Sequence, residues 1–171
     1  MSSGLYEGVI DFALSEAEKK SEYAEVYIED DKAFSFAIEQ GRLNGSASSE
    51  KVGLRIRIIS NGCLYTVSTN NLEKGNIEKL ISRFRKFKGK KTALSEEKSV
   101  SASYVVKEKK AVDEESMLKA LVSVDKGIAE AKHIAFRGVY GSFDVSDTYF
   151  ANSDGSKVHG RVPIISAFVN F

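Results

Sequence analysis

His133, His159 and Cys63 are the chain's whole supply of imidazole and thiol groups. A catalytic zinc takes three protein ligands, drawn as a rule from close pairs such as HExxH or CxxC. These three residues stand far apart in the sequence, and no such spacing surrounds any of them. The acidic pairs Asp30-Asp31, Glu96-Glu97 and Glu114-Glu115 are read as a turn, a polar connection and a helix N-terminus. His159 is read as a solvated strand residue, its other use being as a ligand to an external group. Cys63 follows a hairpin turn with no histidine near it to lower its pKa, so it is a small packing residue, not a nucleophile. GxSxG, GxxxxGK[ST] and GxGxxG are all absent, which removes support for serine-hydrolase and phosphate-loop chemistry. Gly138 and Gly141, which flank Val139 and Tyr140 within a strand, are read as a bulge or a close crossing. No residue of this chain is assigned a catalytic or metal role.

One cationic stretch needs weighing. Arg83 to Lys91 (RFRKFKGKK) places six cations and two phenylalanines in nine residues, a composition able to clamp phosphates. The same residues suit the C-terminal end of a helix, where cations meet the negative end of the dipole. Glu96, Glu97 and Glu108 follow closely, and a net charge of +1 supplies no field that would draw in nucleic acid or a membrane surface.

These residues must be positioned by elements that the apolar periodicity marks. Leu5, Val9, Phe12, Ala13 and Ala17 recur at helical spacing between Leu5 and Lys20. Ala24, Val26 and Ile28 alternate as a strand does; Asp30-Asp31-Lys32 reads as a turn, and Phe34, Phe36 and Ile38 line a second strand. Gly41 reverses the chain into a soft segment, Leu43 to Ser49, followed by a strand at Val52 to Ile59. Ser60-Asn61-Gly62 predicts a tight hairpin into Leu64 to Ser68. A helix runs from Asn70 or Asn71 to about Phe87, then a polar linker from Gly89 to Ser103, and a short strand at Tyr104 to Lys107. Asp113 caps a further amphipathic helix. Strands follow at Ile134 to Val145, Thr148 to Asn152 and Val158 to Phe171, with Pro163 marking an edge, a bulge or a strand start.

Displaced by 114 residues, the chain overlays itself without a gap: Ala17 meets Ala131, Asp30 meets Asp144, Phe36 meets Phe150 and Gly41 meets Gly155. The order helix, strand, glycine turn, strand repeats with it. The fold class that follows is α+β, antiparallel sheets of hairpins backed by amphipathic helices, in two related helix-plus-strands units. The second unit is incomplete on this reading, because its copy stops where the first has reached Arg57. The expected domains are 1–88, a linker at 89–103, and 104–171. The start, MSSGLYEGVIDF, lacks a charged segment and a long apolar run, and the single cysteine suits a reducing compartment, so a cytoplasmic location is expected.

The stretch from Tyr23 to Ile81 resembles the N-terminal domain of the TldD/PmbA proteins, once called modulators of DNA gyrase and regarded as a zinc metallopeptidase family. The matching features are Ala24-Glu25-Val26, Gly41-Arg42, Val52-Gly53-Leu54-Arg55-Ile56 and Ser68-Thr69-Asn70-Asn71-Leu72. Ala151-Asn152-Ser153-Asp154-Gly155 is similar to that family's N-S-[ED]-G turn.

The resemblance implies a longer parent protein whose zinc motif, HExxxH, lies downstream of the region covered here. On that reading this chain holds no cofactor and is inactive alone, while the full-length protein carries zinc if it is the catalytic subunit. It further implies an extended or unfolded peptide as substrate, and a homodimer or a heterodimer with a related subunit; membranes are not implied. Sheet edges offer unpaired N–H and C=O groups to such a peptide. The candidate edge is Ser46-Ala47-Ser48-Ser49, whose small side chains admit another backbone. The alternatives are a stand-alone scaffold module and a nucleic-acid-binding module using Arg83 to Lys91.

Overall fold

The computed structural model describes residues 3–84, 91, 92, 94, 97–107 and 112–171. Nine elements follow one another: α1 (Ser3–Glu18), β1 (Tyr23–Glu39), β2 (Arg42–Ser60), β3 (Cys63–Thr69), α2 (Lys74–Ser82), β4 (Ser101–Val105), α3 (Glu114–Ala129), β5 (Gly138–Asn152) and β6 (Lys157–Asn170). The strands form one six-stranded sheet in the order β3-β2-β1-β5-β6-β4. β2 and β3 are antiparallel, Leu54 opposite Thr69 through Ser60 opposite Cys63. β4 runs parallel to β6, Ser101 opposite Lys157 through Val105 opposite Arg161. The fold is α+β, and its sheet is mixed where hairpins alone would give an antiparallel one. β4 arrives through a long connection containing α2, and such a connection leaves a strand free to pair in parallel.

Three strands are longer than the periodicity suggested. Asp30, Asp31 and Lys32 lie inside β1 and form no turn; Leu43–Ser49 and Val52–Ile59 are one strand; and Val145 runs on through Ser146 and Asp147 to Thr148 within β5. These polar interruptions have a common cause. Packing divides the chain into two compact units, 1–30 with 51–105 and 147–161, and 31–50 with 106–146 and 162–171. Each of these strands passes from one unit to the other at its polar stretch, and β1 and β5 there leave one apolar core before entering the next. β1 passes from the first unit to the second, and β5 from the second to the first. α3 and β5 thus stand to the second unit's core as α1 and β1 stand to the first's, in keeping with the repeat seen in the sequence, while β6, unlike β2, places no residue in a core.

In the first unit, Val9, Ile10, Ala13, Leu14 and Ala17 of α1 cover Ala24, Val26, Ile28, Leu54, Ile56 and Ile58 of the sheet, joined by Ile77 and Ile81 of α2. In the second, Met117 and Leu121 of α3 cover Ile38, Val139, Phe143 and Val145, with Phe34 and Phe36 packed alongside. Asp113 caps α3 as expected, its carboxylate accepting from the Ser116 N–H at 2.7 Å. That bond, first, and the Ser116 hydroxyl hold the Asp113 pKa below the usual carboxylate value. The helix expected to reach Phe87 closes at Ser82 with Arg83 as its cap; Arg85 to Lys90 lie outside the described residues. Of the expected linker, 89, 90, 93, 95 and 96 also lie outside them, and β4 begins within it, at Ser101. Among the described residues no helix is long and apolar enough to cross a membrane.

Candidate functional site

The second unit owns only the halves of β2, β1, β5 and β6 that neither β3 nor β4 reaches. β3 pairs with β2 from Leu54 onward and β4 with β6 only to Arg161, so among the described residues 42–50 and 162–170 are sheet edges. Every residue from Arg42 to Lys51 is exposed. Ser46, Ala47, Ser48 and Ser49 all sit on this stretch, and Gly45 lies against Ala37 of β1. The Asn61-Gly62 turn has positive φ at both residues, 53° and 72°, the form whose flanking pair, here Ser60 and Cys63, faces its partner strand. Alternation carried back along β2 from Ser60 sends the N–H groups of Ser46 and Ser48 to the outer edge.

Beside that edge, on the sheet face away from α3, is a groove of about 410 Å³. Its floor is small: Ser35, Ala37, Gly45, Ala47 and Ser142. The small floor follows from strand alternation, since Phe34, Phe36, Phe143 and Val145 spend their bulk on the α3 side. Tyr140 and Phe168 wall the far end, rings stacked at 4.6 Å and 13°. The Tyr140 hydroxyl donates to Glu39 at 2.8 Å, and this bond raises the phenol's pKa. Tyr140 therefore remains a neutral donor bonded to a carboxylate across the working pH range, and the groove is an uncharged cleft with one aromatic wall.

The first unit carries a second groove of about 390 Å³ between α1 and β4, lined by Glu7, Asp11, Ser101, Ser103, Tyr149, Lys157 and His159 among others. His159 stacks on Tyr149 at 4.5 Å. Its Nε2 is 3.4 Å from Asp147 Oδ1 and its Nδ1 3.4 Å from Ser103 Oγ. Both contacts are long, and Asp147 also receives the Arg161 guanidinium, which satisfies the carboxylate in place. This cluster ties β5, β6 and β4 together and does not prime Ser103. His159 is thus a strand residue with partners on three sides. His133 stands just past α3, in the second unit, at φ 70°. Cys63 is buried at the start of β3. Zinc, which the resemblance implies for a full-length protein, has no fit here: among the described residues no three His, Cys, Asp or Glu side chains are grouped as metal ligands.

The Asn152-Ser153-Asp154-Gly155 turn, singled out in the sequence, is built as a fastening. Asn152 Oδ1 accepts from the Ser156 N–H at 2.8 Å, and Gly155 takes φ 89°. Ser153 exchanges two bonds with Ala24: its Oγ accepts from the Ala24 N–H at 3.1 Å and its N–H donates to the Ala24 carbonyl at 2.9 Å. Ser156 Oγ accepts from the Val100 N–H at 3.1 Å. Of the cationic stretch, Arg83 is the α2 cap and Phe84 packs on Tyr65 at 5.9 Å; its residues 85–90 lie outside the described ones.

Comparison with known proteins gives a consistent picture. The family model described as PmbA/TldA metallopeptidase domain 1 matches residues 24–113. A search of the curated proteins returns no match. Among solved structures, a protein of Bacteroides thetaiotaomicron described as a modulator of DNA gyrase superposes with a TM-score of 0.74 at 16% identity, over 99% of this chain and 41% of that one. A Thermotoga maritima protein of the same description gives 0.69 at 14%, over 96% and 42%. TldE from Thermococcus kodakarensis gives 0.72 at 14%, over 95% and 42%. At these identities the likeness is one of fold. The chain spans about two fifths of the length of each of these structures.

Proposed function

The chain belongs to the PmbA/TldA metallopeptidase family through that family's first domain, and from this premise we propose that it is the non-catalytic N-terminal part of a TldD/PmbA-type metalloprotease subunit. Its work is to hold an extended peptide and to contribute to subunit assembly, as homodimer or heterodimer, with zinc chemistry supplied by other residues of the full-length protein. A cytoplasmic setting fits the single, buried cysteine.

The observation that carries the reading is the β2 edge from Arg42 to Glu50, exposed along its whole length beside a groove with a small-residue floor. A peptide strand added there would receive main-chain hydrogen bonds from Ser46 and Ser48 and direct alternate side chains over the sheet face. Main-chain pairing is tolerant of sequence, which suits a substrate defined by being unfolded. Aromatic or large aliphatic side chains of the peptide would find the Tyr140–Phe168 wall.

The test is peptide binding by fluorescence anisotropy with unstructured peptides. Ser48→Pro removes one outward N–H without touching an N–H that serves β1, and should weaken binding about tenfold or more, the equivalent of roughly 1.5 kcal/mol for lost strand pairing. Ser48→Ala should bind as the parent does. Equal binding by Ser48→Pro and the parent would end this reading.

A further inference from the structure

Tyr149 is 4% exposed, and among the described residues its hydroxyl takes part in no hydrogen bond. Buried polar groups are as a rule partnered, and one that is not asks for a reason. Every sealed side-chain nitrogen or oxygen among the described residues has a partner, so the phenol oxygen is not sealed. It reaches the surface at the groove that Tyr149 lines between α1 and β4. On the α1 wall of that groove stands Glu7, an exposed carboxylate that forms no ion pair among the described residues. Asp11, one turn further along α1, is engaged, accepting from Lys157 Nζ at 2.8 Å. Two acceptors, one charged and one buried, thus open on the same groove without a protein donor.

We propose that this groove takes an organic cation, an alkylammonium or guanidinium group, which donates to the Glu7 carboxylate and to the Tyr149 hydroxyl oxygen. The local charge selects the sign. Burial first, then the carboxylates of Asp147, Asp30 and Glu7, raise the Tyr149 pKa, with Arg161 acting against them. The phenol therefore sits in a negative field, which repels an anion and favours a cation. Lys157 is held by Asp11 and Arg161 by Asp147, so the Glu7 charge is left for a ligand. A bare metal ion does not fit, since among the described residues no three His, Cys, Asp or Glu side chains are grouped as ligands. The walls suit a short carbon stem, with Ile10 and Ala151 beside the stacked rings of Tyr149 and His159. β4 adds hydroxyl oxygens as further acceptors, its parallel register setting Ser103 beside His159 and Ser101 beside Lys157. The volume of about 390 Å³ is that of a small-ligand pocket, roughly 300–1,000 Å³. All these residues belong to the first unit and none to the β2 edge, so the site does not depend on peptide pairing there.

The test is a titration of the isotope-labelled chain with butylguanidinium, followed by amide chemical shifts, beside butylurea, its uncharged isostere. Shifts at Ser103, Tyr149 and His159 should move and saturate, and butylurea should bind at least about tenfold more weakly. Glu7→Gln should weaken butylguanidinium about tenfold and Tyr149→Phe about fivefold. Glu78→Gln, exposed on α2, should leave the affinity unchanged. Because the Tyr149 hydroxyl has no protein partner among the described residues, Tyr149→Phe should also leave the thermal midpoint where it is, which separates lost binding from lost folding. Butylguanidinium has no main chain to pair with β2, so its result is separate from that of strand addition. An unstructured peptide with one arginine, titrated in a Ser48→Pro background, identifies the source. Tighter binding than butylguanidinium assigns the cation to a peptide side chain; equal or weaker binding assigns it to a free small molecule. No saturable shift at the groove, equal binding of butylurea, or an affinity unmoved by both Glu7→Gln and Tyr149→Phe would overturn the inference.

Discussion

Tyr6 reports on the first unit's core better than any other single residue. It is 8% exposed, donates to Asp30 at 2.7 Å and packs on Tyr149 at 5.3 Å. Burial first, then the Asp30 hydrogen bond, push its pKa from 10.0 up to about 12. A folded-state pKa above the unfolded value means the folded chain holds that proton more tightly. The associated stability, on the order of 2–3 kcal/mol, is complete below pH 10 and is lost as pH rises to about 12. Alkaline unfolding followed by circular dichroism should therefore steepen in that window, and Tyr6→Phe should make it shallower. An identical alkaline limb in Tyr6→Phe would show that the Tyr6 proton is not coupled to folding. The Asp30 partner was hidden in the sequence because Asp30-Asp31-Lys32 has the composition of a turn. Buried Glu25 with Arg57, and Asp125 with Arg137, were equally hidden. Nothing local in a sequence records which distant cation a carboxylate will meet.

Helix and hairpin positions were legible because each has a local physical cause. Asp113 caps α3, Asn61-Gly62 makes the tight turn and Gly155 takes the positive φ, and these follow from side-chain reach and backbone freedom at single positions. The lengths of β1, β2 and β5 were not legible, since polar residues inside a strand that changes cores look like a break. The parallel pairing of β4 was out of reach for another reason: its partner lies more than fifty residues away. The Asn152–Ser156 turn shows a motif whose role is mechanical. Ser153→Ala would orphan the N–H of fully buried Ala24, costing about 1–3 kcal/mol. Thermal unfolding should register this as a drop of several degrees, whereas Asp154→Ala, exposed in the same turn, should shift the midpoint little. Equal midpoints for the two variants would show that the Ser153 bonds do not fasten β1.

For the whole molecule, the 114-residue repeat and the two cores describe one construction. Two helix-hairpin copies supply strands in the order β2-β1-β5-β6, and each of these four strands is divided between the two units. Among the described residues β3 and β4 extend only the first unit's sheet, so that 42–50 and 162–170 are sheet edges of the second. One of these has charges and serines, the other only apolar and small polar groups about a serine. The repeat was readable because it preserves element order; the division of each long strand between two units was not, because it depends on contacts between residues far apart in the sequence.

Amide hydrogen exchange along β2, with and without a saturating unstructured peptide, tests most directly whether this domain holds its substrate by strand addition. The account predicts slowed exchange at Ser46 and Ser48, whose N–H groups face outward, with little change at the inward-facing Ala47 and Ser49. Unchanged exchange at all four residues while the peptide is demonstrably bound would contradict it.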